Sequence, residues 1–284
     1  MQARRSTTSI LLITTAQMTT LFLDNPQFIR LTRLTFPLNA FACATWLEEG
    51  QVNYLHYGLF DADHTSLLAA QGQSTTLILE RLPDPGAQIL EIGIGLGTTA
   101  ARLVALGYHV IGIAPDAMQV AIAREKAGTG GQFAAVRFED FPLTGERVNG
   151  ILLQESAQYL NPTRLFSLAR AWLRTGGEVL VLDQFALRRT DPSESLLHFG
   201  EDFVQHAEKQ GFHLVEHLDL SAKATPTLDY LLRILVAHEK VLTHCLPIAV
   251  TELDQLRTAV AANLDRYRQG VLGYALYHFR LKSS

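Results

Sequence analysis

Short apolar runs alternate with amphipathic segments through the middle of this chain. The apolar runs have the length of buried strands and predict strands at residues 88–92, 109–114, 133–138, 148–154 and 178–183. Apolar positions at helical spacing predict helices at residues 98–106, 116–127 and 161–174. Strands that alternate with helices indicate parallel β-α-β units with right-handed crossovers, and therefore an α/β fold.

Residues at the boundaries of these segments support the division. Asp116 and Asn161 stand where a side chain can accept hydrogen bonds from the first turn of the helix that follows. Pro162 comes next at the first helical position, where a missing N–H is tolerated. Gly107 is placed to end the helix that begins at residue 98. The predicted helices therefore begin and end at residues that suit those positions.

Helical patterns also precede and interrupt this α/β region. Residues 26–72 are mostly of helical character and contain several aromatic residues. Residues 226–269 carry apolar positions at helical spacing, between a strand predicted at 212–220 and a last strand at 274–281. The sequence thus predicts one core with two helical additions, one before the core and one inserted late.

Composition and charge exclude several classes of protein. Hydrophobic residues make up 48% of the 284 residues, which is enough to build a sizeable core. The formal net charge is −4 and no dense run of Lys and Arg occurs, so we expect no nucleic-acid partner. No apolar run reaches the roughly 18–20 residues that a membrane span needs, so we expect no stable membrane insertion.

Cysteine usage and the N-terminal residues bear on location. Cys43 and Cys245 are too few for a disulfide framework, and we expect both to be reduced thiols of a cytoplasmic protein. A pair of arginines precedes an apolar run at residues 10–13, which is a weak similarity to a signal peptide. The run is short and rich in threonine, so we expect residues 1–25 to form a flexible tail.

A glycine-rich turn follows the first predicted strand. Gly93, Gly95 and Gly97 alternate with apolar residues, so the chain can turn sharply and a ligand can approach bare backbone. The next helix points its free N–H groups at the same place, which suits a nucleotide-like ligand. A dinucleotide-binding fingerprint would place glycine at Thr98, and the carboxylate of Glu91 would repel a pyrophosphate but suit a cation. The alternative is a tight turn that binds no ligand.

The stretch ILEIGIGLG at residues 89–97 resembles motif I of the class I S-adenosylmethionine (SAM)-dependent methyltransferases. Stretches similar to the later motifs of that family follow in the expected order, at residues 110–119, 139–142, 154–159 and 173–180. The resemblance extends over about residues 50–282. It implies an α/β, Rossmann-like fold with a seven-stranded, mostly parallel sheet, an antiparallel last strand and helices on both faces.

The resemblance also implies a set of cofactor-binding residues. Most family members carry an acidic residue at the end of strand two to bind the ribose hydroxyls, and this chain has Ala114 there. The pattern around it resembles tocopherol, sterol and cyclopropane-fatty-acid enzymes, in which a glutamine serves the ribose, so the role passes to Gln119. Asp116 is an alternative for that role, or it caps its helix. The full set implied by the motifs is Tyr54, Glu91, Gly93, Gly95, Gly97, Ala114, Gln119, Glu139, Asp140 and Gln154.

The family organisation divides the chain into five parts. The stretch NYLHYG at residues 53–58 is similar to the aromatic lid that small-molecule methyltransferases fold over the cofactor. The late helical insertion stands where the family shapes its substrate pocket. We therefore expect a tail at 1–25, an N-terminal helical lid at 26–72, a SAM-binding core at 73–225, a helical substrate cap at 226–270 and the last core strand at 271–284.

Three residues are candidates for catalysis. Methyl transfer from a sulfonium requires alignment and exclusion of water, and it requires a base only if the acceptor loses a proton. Glu155 follows the carboxyl end of strand four, where α/β sites gather, and His56 lies in the lid stretch. Tyr57 and Tyr54 can hold a sulfonium against an aromatic face, or they are core aromatics of a helical cap.

Other polar residues suggest weaker assignments. His213 and His217 are four residues apart on a predicted strand, so we expect no metal site. The acceptor pocket could be lined by Tyr230, Arg233, Tyr267 and Tyr274, although plain helix packing explains the same spacing.

The expected function is methyl transfer from SAM to a small, partly hydrophobic acceptor, with S-adenosylhomocysteine as the released product. A monomer or a homodimer is compatible with the sequence. Two alternatives stay open. The first is a protein of this fold that does not methylate, either an enzyme that uses SAM for another alkyl transfer or a cyclisation, or a regulator. The second is an NAD(P)-dependent oxidoreductase.

Overall fold

A computed structural model describes residues 24–63, 66–142, 145, 147–189 and 197–283 of the chain. The tail expected at residues 1–25 lies almost entirely outside these described residues. No helix in the described ranges is long and apolar enough to cross a membrane.

One seven-stranded sheet organises the molecule, with strand order β3-β2-β1-β4-β5-β7-β6. Its strands are β1 Gln88–Ile92, β2 His109–Ala114, β3 Gly131–Ala135, β4 Val148–Gln154, β5 Leu173–Ala186, β6 Phe212–Asp219 and β7 Leu272–Leu281. Strands β1 to β5 pair in parallel, whereas β7 is antiparallel to both β5 and β6. The predicted sheet, with its antiparallel last strand, is confirmed.

Ten helices of the described residues surround this sheet. They are α1 Pro26–Thr32, α2 Leu38–Glu49, α3 Leu67–Leu79, α4 Thr98–Ala105, α5 Ala117–Ala127, α6 Pro162–Trp172, α7 Gly200–Lys209, α8 Ser221–Ala237, α9 Glu239–Cys245 and α10 Val250–Arg268. Apolar residues of α6 and α7 form the core on one face of the sheet. The core on the other face contains residues of the remaining helices, including the N-terminal ones and the late insertion.

The predicted helix boundaries follow the side-chain chemistry. Asp116 accepts hydrogen bonds from the first turn of α5, and Asn161 accepts one from the backbone N–H of Arg164 in α6. Pro162 occupies the first position of α6, and Gly107 has a φ of 89° just after α4. These helix signals were therefore interpreted correctly.

Strands β3 and β5 differ most from their predicted bounds, whereas β6 and β7 differ by one or two residues at one end. The prediction extended the third strand to Phe138, but β3 ends at Ala135 and Phe138 lies in a short 3-10 turn against Trp172. The fifth strand was predicted from residue 178, but β5 begins at Leu173 because that residue already pairs with Val148 of β4.

The N-terminal region is less helical than predicted. Helices α1, α2 and α3 occupy much of residues 26–72, but residues 51–60 run without helix between α2 and α3. We call residues 51–60 the lid segment. Helix α3 runs through residue 73, where the sequence analysis placed the start of the core. The lid segment passes over the carboxyl ends of β1 and β4, because its backbone forms hydrogen bonds with Thr98 at the start of α4 and with Glu155 just after β4.

Candidate cofactor and active site

Two of the loop glycines are required by packing within the protein. Gly93 and Gly97 have φ values of 82° and 72°, a region that side chains rarely adopt. A Cβ on Gly93 would lie 2.5 Å from the Cβ of Ser156, and one on Gly97 would lie 2.4 Å from Ala123 of α5. These glycines allow β1 and α4 to approach neighbouring elements closely.

Gly95 differs from the other two. Its φ is also positive, at 50°, but a Cβ there would meet only the Cδ1 atom of Leu55, at 3.9 Å. Leu55 belongs to the lid segment, so the backbone of Gly95 faces the space beneath that segment. Gly95 is therefore the glycine of the loop that leaves room for a ligand.

Glu91 is a buried carboxyl without a partner. Its side chain is 2% exposed, and its Oε2 atom forms no hydrogen bond with the described residues. Burial raises the pKa of Glu91 to about 8. A buried carboxylate is stable only when a cation or several donors face it. The carboxyl end of β1 therefore suits a ligand that brings a positive charge or N–H donors.

The end of β2 lacks an acidic side chain directed at a ligand. Asp116 caps α5 through the backbone N–H groups of Met118, at 2.7 Å, and Gln119, at 3.2 Å. Its second oxygen accepts hydrogen bonds from the backbone and hydroxyl of Thr35. The side chain of Gln119, in the first turn of α5, is buried, and its amide has no hydrogen bond within the described part of the chain. The cap alternative for Asp116 is confirmed, and Gln119 has a free amide.

Glu139 and Asp140 lie in the 3-10 turn that follows β3. Glu139 pairs with Arg137 at 3.6 Å, and its carbonyl accepts a hydrogen bond from Arg164. Asp140 is exposed. The turn stands at the carboxyl end of β3, on the same sheet edge as the glycine loop.

Gln154, the last residue of β4, is engaged within the protein. Its Oε1 accepts a hydrogen bond from Thr99 at 3.2 Å, and its Nε2 donates to Ser74 at 3.4 Å. The side chain thereby ties β4 to α4 and α3. A direct contact between Gln154 and a cofactor would require one of these hydrogen bonds to be exchanged.

The start of the lid segment is attached to the glycine loop. The hydroxyl of Thr98, at the first turn of α4, donates a hydrogen bond to the carbonyl of Asn53. The same hydroxyl accepts a hydrogen bond from the ammonium of Lys126 at 2.7 Å. Tyr54 is buried next in the segment, with its ring centroid 4.8 Å from that of His56.

His56 is held by hydrogen bonds at both ring nitrogens. Its Nδ1 lies 2.9 Å from the carbonyl of Tyr57, and its Nε2 lies 3.3 Å from the hydroxyl of Thr75. Burial lowers the pKa of His56 to about 4, so the ring is neutral at pH 7. Gln71 also donates to the His56 carbonyl, at 2.6 Å. These contacts favour a role for His56 in holding the lid segment, not in proton transfer.

Tyr57 of the lid segment contacts Glu155, which follows β4. The backbone N–H of Tyr57 donates to Oε1 of Glu155, and the hydroxyl of Tyr274 donates to the same oxygen at 2.8 Å. The rings of Tyr57 and Tyr274 stack with centroids 5.7 Å apart and planes 9° apart. Glu155 has a φ of 57°, the left-handed conformation, just past the end of β4. Burial raises the pKa of Glu155 to about 8. The residue is half-buried, so part of it is still accessible to solvent.

Asp183 of β5 is a second buried carboxyl near Glu155. It is fully buried and accepts hydrogen bonds from the backbone N–H groups of Gln158, at 3.1 Å, and Gln184, at 2.7 Å. Burial raises its pKa to about 7, and the Asp183 carboxyl in turn raises the pKa of Glu155. Glu155, just after β4, and Asp183, within β5, therefore place two acidic groups at one site.

A family profile described as a methyltransferase domain matches residues 89–177. No curated protein sequence matches the chain significantly.

Solved structures share the fold of this chain at low sequence identity. The [4+2]-cyclase SpnF matches with a TM-score of 0.74 and 21% identity, over 91% of this chain and 95% of its own. The cyclopropane synthase MmaA2 from Mycobacterium tuberculosis matches with a TM-score of 0.73 and 17% identity, over 89% and 97%.

A third match extends the chemical range of these structures. Geranyl diphosphate C-methyltransferase from Streptomyces coelicolor A3(2) has a TM-score of 0.63 and 17% identity, over 84% of this chain and 96% of its own. The predicted resemblance to class I SAM-dependent methyltransferases, with cyclopropane synthases among them, is confirmed at the level of fold.

Sequence reasoning missed two residues of the candidate site. Asp183 was predicted only as the last residue of a strand. Because the carboxyl ends of parallel strands meet at one edge of a sheet, this position could have indicated a site residue. Ser156, which contacts Gly93 and donates to the carbonyl of Ile92 at 2.5 Å, carried no recognisable signal. Tyr274 was weighed only as a pocket residue, and its contact with Glu155 joins parts of the chain 119 residues apart.

Proposed function

We propose that this chain binds SAM and transfers its methyl group to a small, partly hydrophobic acceptor, releasing S-adenosylhomocysteine. One observation carries the proposal: the buried carboxyl of Glu91 on β1 has an unpartnered oxygen, and the loop that follows β1 carries the bare backbone of Gly95. SAM brings an ammonium and a sulfonium but no phosphate, so it supplies the positive charge that stabilises the ionised form of this carboxyl, whereas the pyrophosphate of a dinucleotide supplies none.

The residues that would hold SAM come from four strand ends and the lid segment. Glu91 would face the positively charged part of the ligand, and Gln119 would bind the ribose hydroxyls in place of the acid that Ala114 replaces. Tyr54 and Leu55 would cover the ligand from the lid side. Further candidate contacts are Gly93, Gly95, Gly97, Glu139, Asp140 and Gln154.

The remaining residues would align the reactants and exclude water. SAM supplies a methyl group already activated by the positive sulfur, so alignment contributes most of the rate. Tyr57 presents an aromatic ring under the lid segment, where it can stabilise positive charge. Glu155 is the candidate base for an acceptor that loses a proton, and the engaged ring of His56 makes it the weaker candidate.

The nature of the acceptor is inferred from the cover of the site and from the matching structures. Apolar residues of the lid side and of the late insertion pack in one core above the parallel strands. The matching structures include a cyclopropane synthase and a geranyl diphosphate C-methyltransferase. We infer a cytoplasmic enzyme, monomeric or homodimeric, that acts on a small molecule and not on nucleic acid.

A second candidate function is SAM-fold catalysis without methyl transfer. The [4+2]-cyclase SpnF shares the fold over 91% of this chain, so a cyclisation at the same site is the second function to test. The two functions differ in their products, because only methyl transfer converts SAM into S-adenosylhomocysteine.

Calorimetric titration tests the cofactor assignment. Wild-type protein should bind SAM and S-adenosylhomocysteine and should not bind NADH. Glu91→Gln should weaken SAM binding, whereas Glu178→Gln, at the other edge of the sheet, should not. Tight NADH binding, or SAM binding that Glu91→Gln leaves unchanged, would contradict the proposal.

A product assay separates the two functions. The protein is incubated with methyl-labelled SAM and fractionated small-molecule extracts, and S-adenosylhomocysteine is measured by mass spectrometry. Label in an acceptor together with S-adenosylhomocysteine supports methyl transfer. A new cyclic product with SAM left intact supports the second candidate.

A further inference from the structure

One oxygen of Glu155 receives two hydrogen bonds from two different elements. The N–H of Tyr57 comes from the lid segment, and the hydroxyl of Tyr274 comes from β7, at 2.8 Å. The stacked rings of the two tyrosines fix the donors relative to each other. The Oε1 atom of Glu155 is therefore held by one fixed element and by one segment that covers the ligand space.

The other oxygen of Glu155 is left available. Oε2 forms no hydrogen bond with the described residues, and it is not among the buried polar atoms that lack a partner. The side chain as a whole keeps part of its exposure. Oε2 is thus the oxygen that can exchange a proton with a bound molecule.

The surroundings of Glu155 disfavour its charged form. The titratable groups that face Glu155 within the described residues are tyrosine hydroxyls and one carboxyl. None of them carries a positive charge that would stabilise the Glu155 carboxylate. They are Tyr57 of the lid segment, Tyr159 of the turn after β4, Asp183 of β5, Tyr267 of α10 and Tyr274 of β7. Only the two donors on Oε1 stabilise the carboxylate, so removal of either favours the protonated acid.

We propose that Tyr274 is a positioning residue for Glu155. The Tyr274 hydroxyl and the Tyr57 amide together hold Oε1 of Glu155, and Oε2 is left to take a proton from the acceptor. The inference rests on the proposed function. It specifies an acceptor with an O–H or N–H group. A bond forms between that heteroatom and the methyl carbon, the carbon–sulfur bond breaks with its electron pair left on sulfur, and the proton passes to Oε2. The lid segment then orients the Glu155 carboxylate through the same Tyr57 hydrogen bond that holds the segment in place.

The titration of Glu155 can be measured without knowing the acceptor. Protein labelled with 13C at the glutamate carboxyls is titrated by NMR, and the Glu155 signal is assigned by its loss in Glu155→Gln. Tyr274→Phe should raise the midpoint by about 1 pH unit, as expected for loss of one hydrogen bond to a charged group. Tyr277→Phe is the matched control, because Tyr277 lies on the same strand but packs in the core on the opposite face. An unchanged midpoint in folded Tyr274→Phe would overturn the proposal.

A measurement on the wild-type protein covers the case in which Tyr274→Phe does not fold. The amide signal of Tyr57 should titrate with the same midpoint as the Glu155 carboxyl, since its proton is donated to that group. A Tyr57 amide that does not follow the Glu155 midpoint would overturn the coupling to the lid segment.

Failure of this inference can be told from failure of the proposed function. Both titrations use the protein without ligand, whereas cofactor binding is measured by calorimetry with S-adenosylhomocysteine. Normal binding of that nucleoside with an independent Tyr57 amide would remove the positioning role alone. Absence of binding with a coupled titration would remove the proposed function and leave the Glu155 contacts intact.

Discussion

Ser156 lies directly against Gly93: the Cβ of Ser156 is 2.5 Å from the position that a Cβ on Gly93 would occupy. The Ser156 hydroxyl also donates to the carbonyl of Ile92, so the ends of β1 and β4 are joined at this point. Gly95, two residues further, has nothing closer than Leu55 at 3.9 Å. The glycine loop therefore contains glycines that close packing requires and one, Gly95, that close packing does not require.

Substitution of these glycines should separate stability from binding. Gly93→Ala adds a clash and a left-handed side chain, so the free energy of unfolding should fall by roughly 3 kcal/mol. Gly95→Ala adds only the conformational cost, roughly 1 kcal/mol, but should weaken S-adenosylhomocysteine binding. Urea denaturation and calorimetry on both variants test this. Equal destabilisation by the two substitutions would contradict the distinction.

Gln119 and Asp116 should have separable effects. Gln119→Ala should weaken SAM binding by roughly 1–2 kcal/mol, the loss expected for one hydrogen bond to a buried polar group. Asp116→Ala removes the cap of α5, so the free energy of unfolding should fall by about 1 kcal/mol while SAM affinity changes little. Calorimetry and urea denaturation measure the two quantities. The reverse pattern would assign the ribose to Asp116.

SAM affinity should depend on pH through Glu91. Burial raises the pKa of Glu91 to about 8, so at pH 6 the carboxyl is protonated and carries no charge to attract a cation. Affinity should therefore rise with pH up to about 8, by at most about tenfold per pH unit, and then level off. Titrations from pH 6 to 9 measure this rise. Glu91→Gln is the control, because any pH dependence of SAM affinity that remains in this variant comes from titration of the ligand. A pH dependence identical to that of the wild-type protein would refute the prediction.

Stability should fall as the pH rises from about 5 to 8. Glu91, Glu155 and Asp183 have pKa values raised by burial to about 8, 8 and 7, so the folded state keeps protons that the unfolded chain has released. Each such carboxyl lowers the free energy of unfolding by up to about 1.4 kcal/mol per pH unit within this window. Urea denaturation at four pH values tests the slope. Glu91→Gln should reduce the slope, and a stability that increases from pH 5 to 8 would contradict the argument.

Parts of the fold with strong local patterns could be predicted from the sequence. Strands β1 and β4 match their predicted bounds because they are short, apolar and buried on both faces. The end of β3 could not be predicted, because Phe138 continues the apolar run while the backbone turns toward Trp172. The lid segment was expected to be helical, but its backbone groups bond to α3, α4, α8 and Glu155 instead of to one another.

The candidate site divides in the same way. Glu91 and the three glycines could be recognised because their neighbours in sequence are their neighbours in space. The pairing of Glu155 with Tyr274 could not, because no local pattern records a contact across 119 residues. The burial that leaves Glu91 without a partner also depends on tertiary packing, so its raised pKa was beyond sequence reasoning.

Strand β7 fills the place between β5 and β6, yet helices α8, α9 and α10 separate it from β6 along the chain. During synthesis β5 and β6 are made first, and they cannot be joined until the whole insertion and β7 have emerged. Closing so long a loop is slow compared with local pairing. A nascent chain halted within the insertion would expose an unpaired edge to chaperones or aggregation, and Glu155 would lack its tyrosine partner.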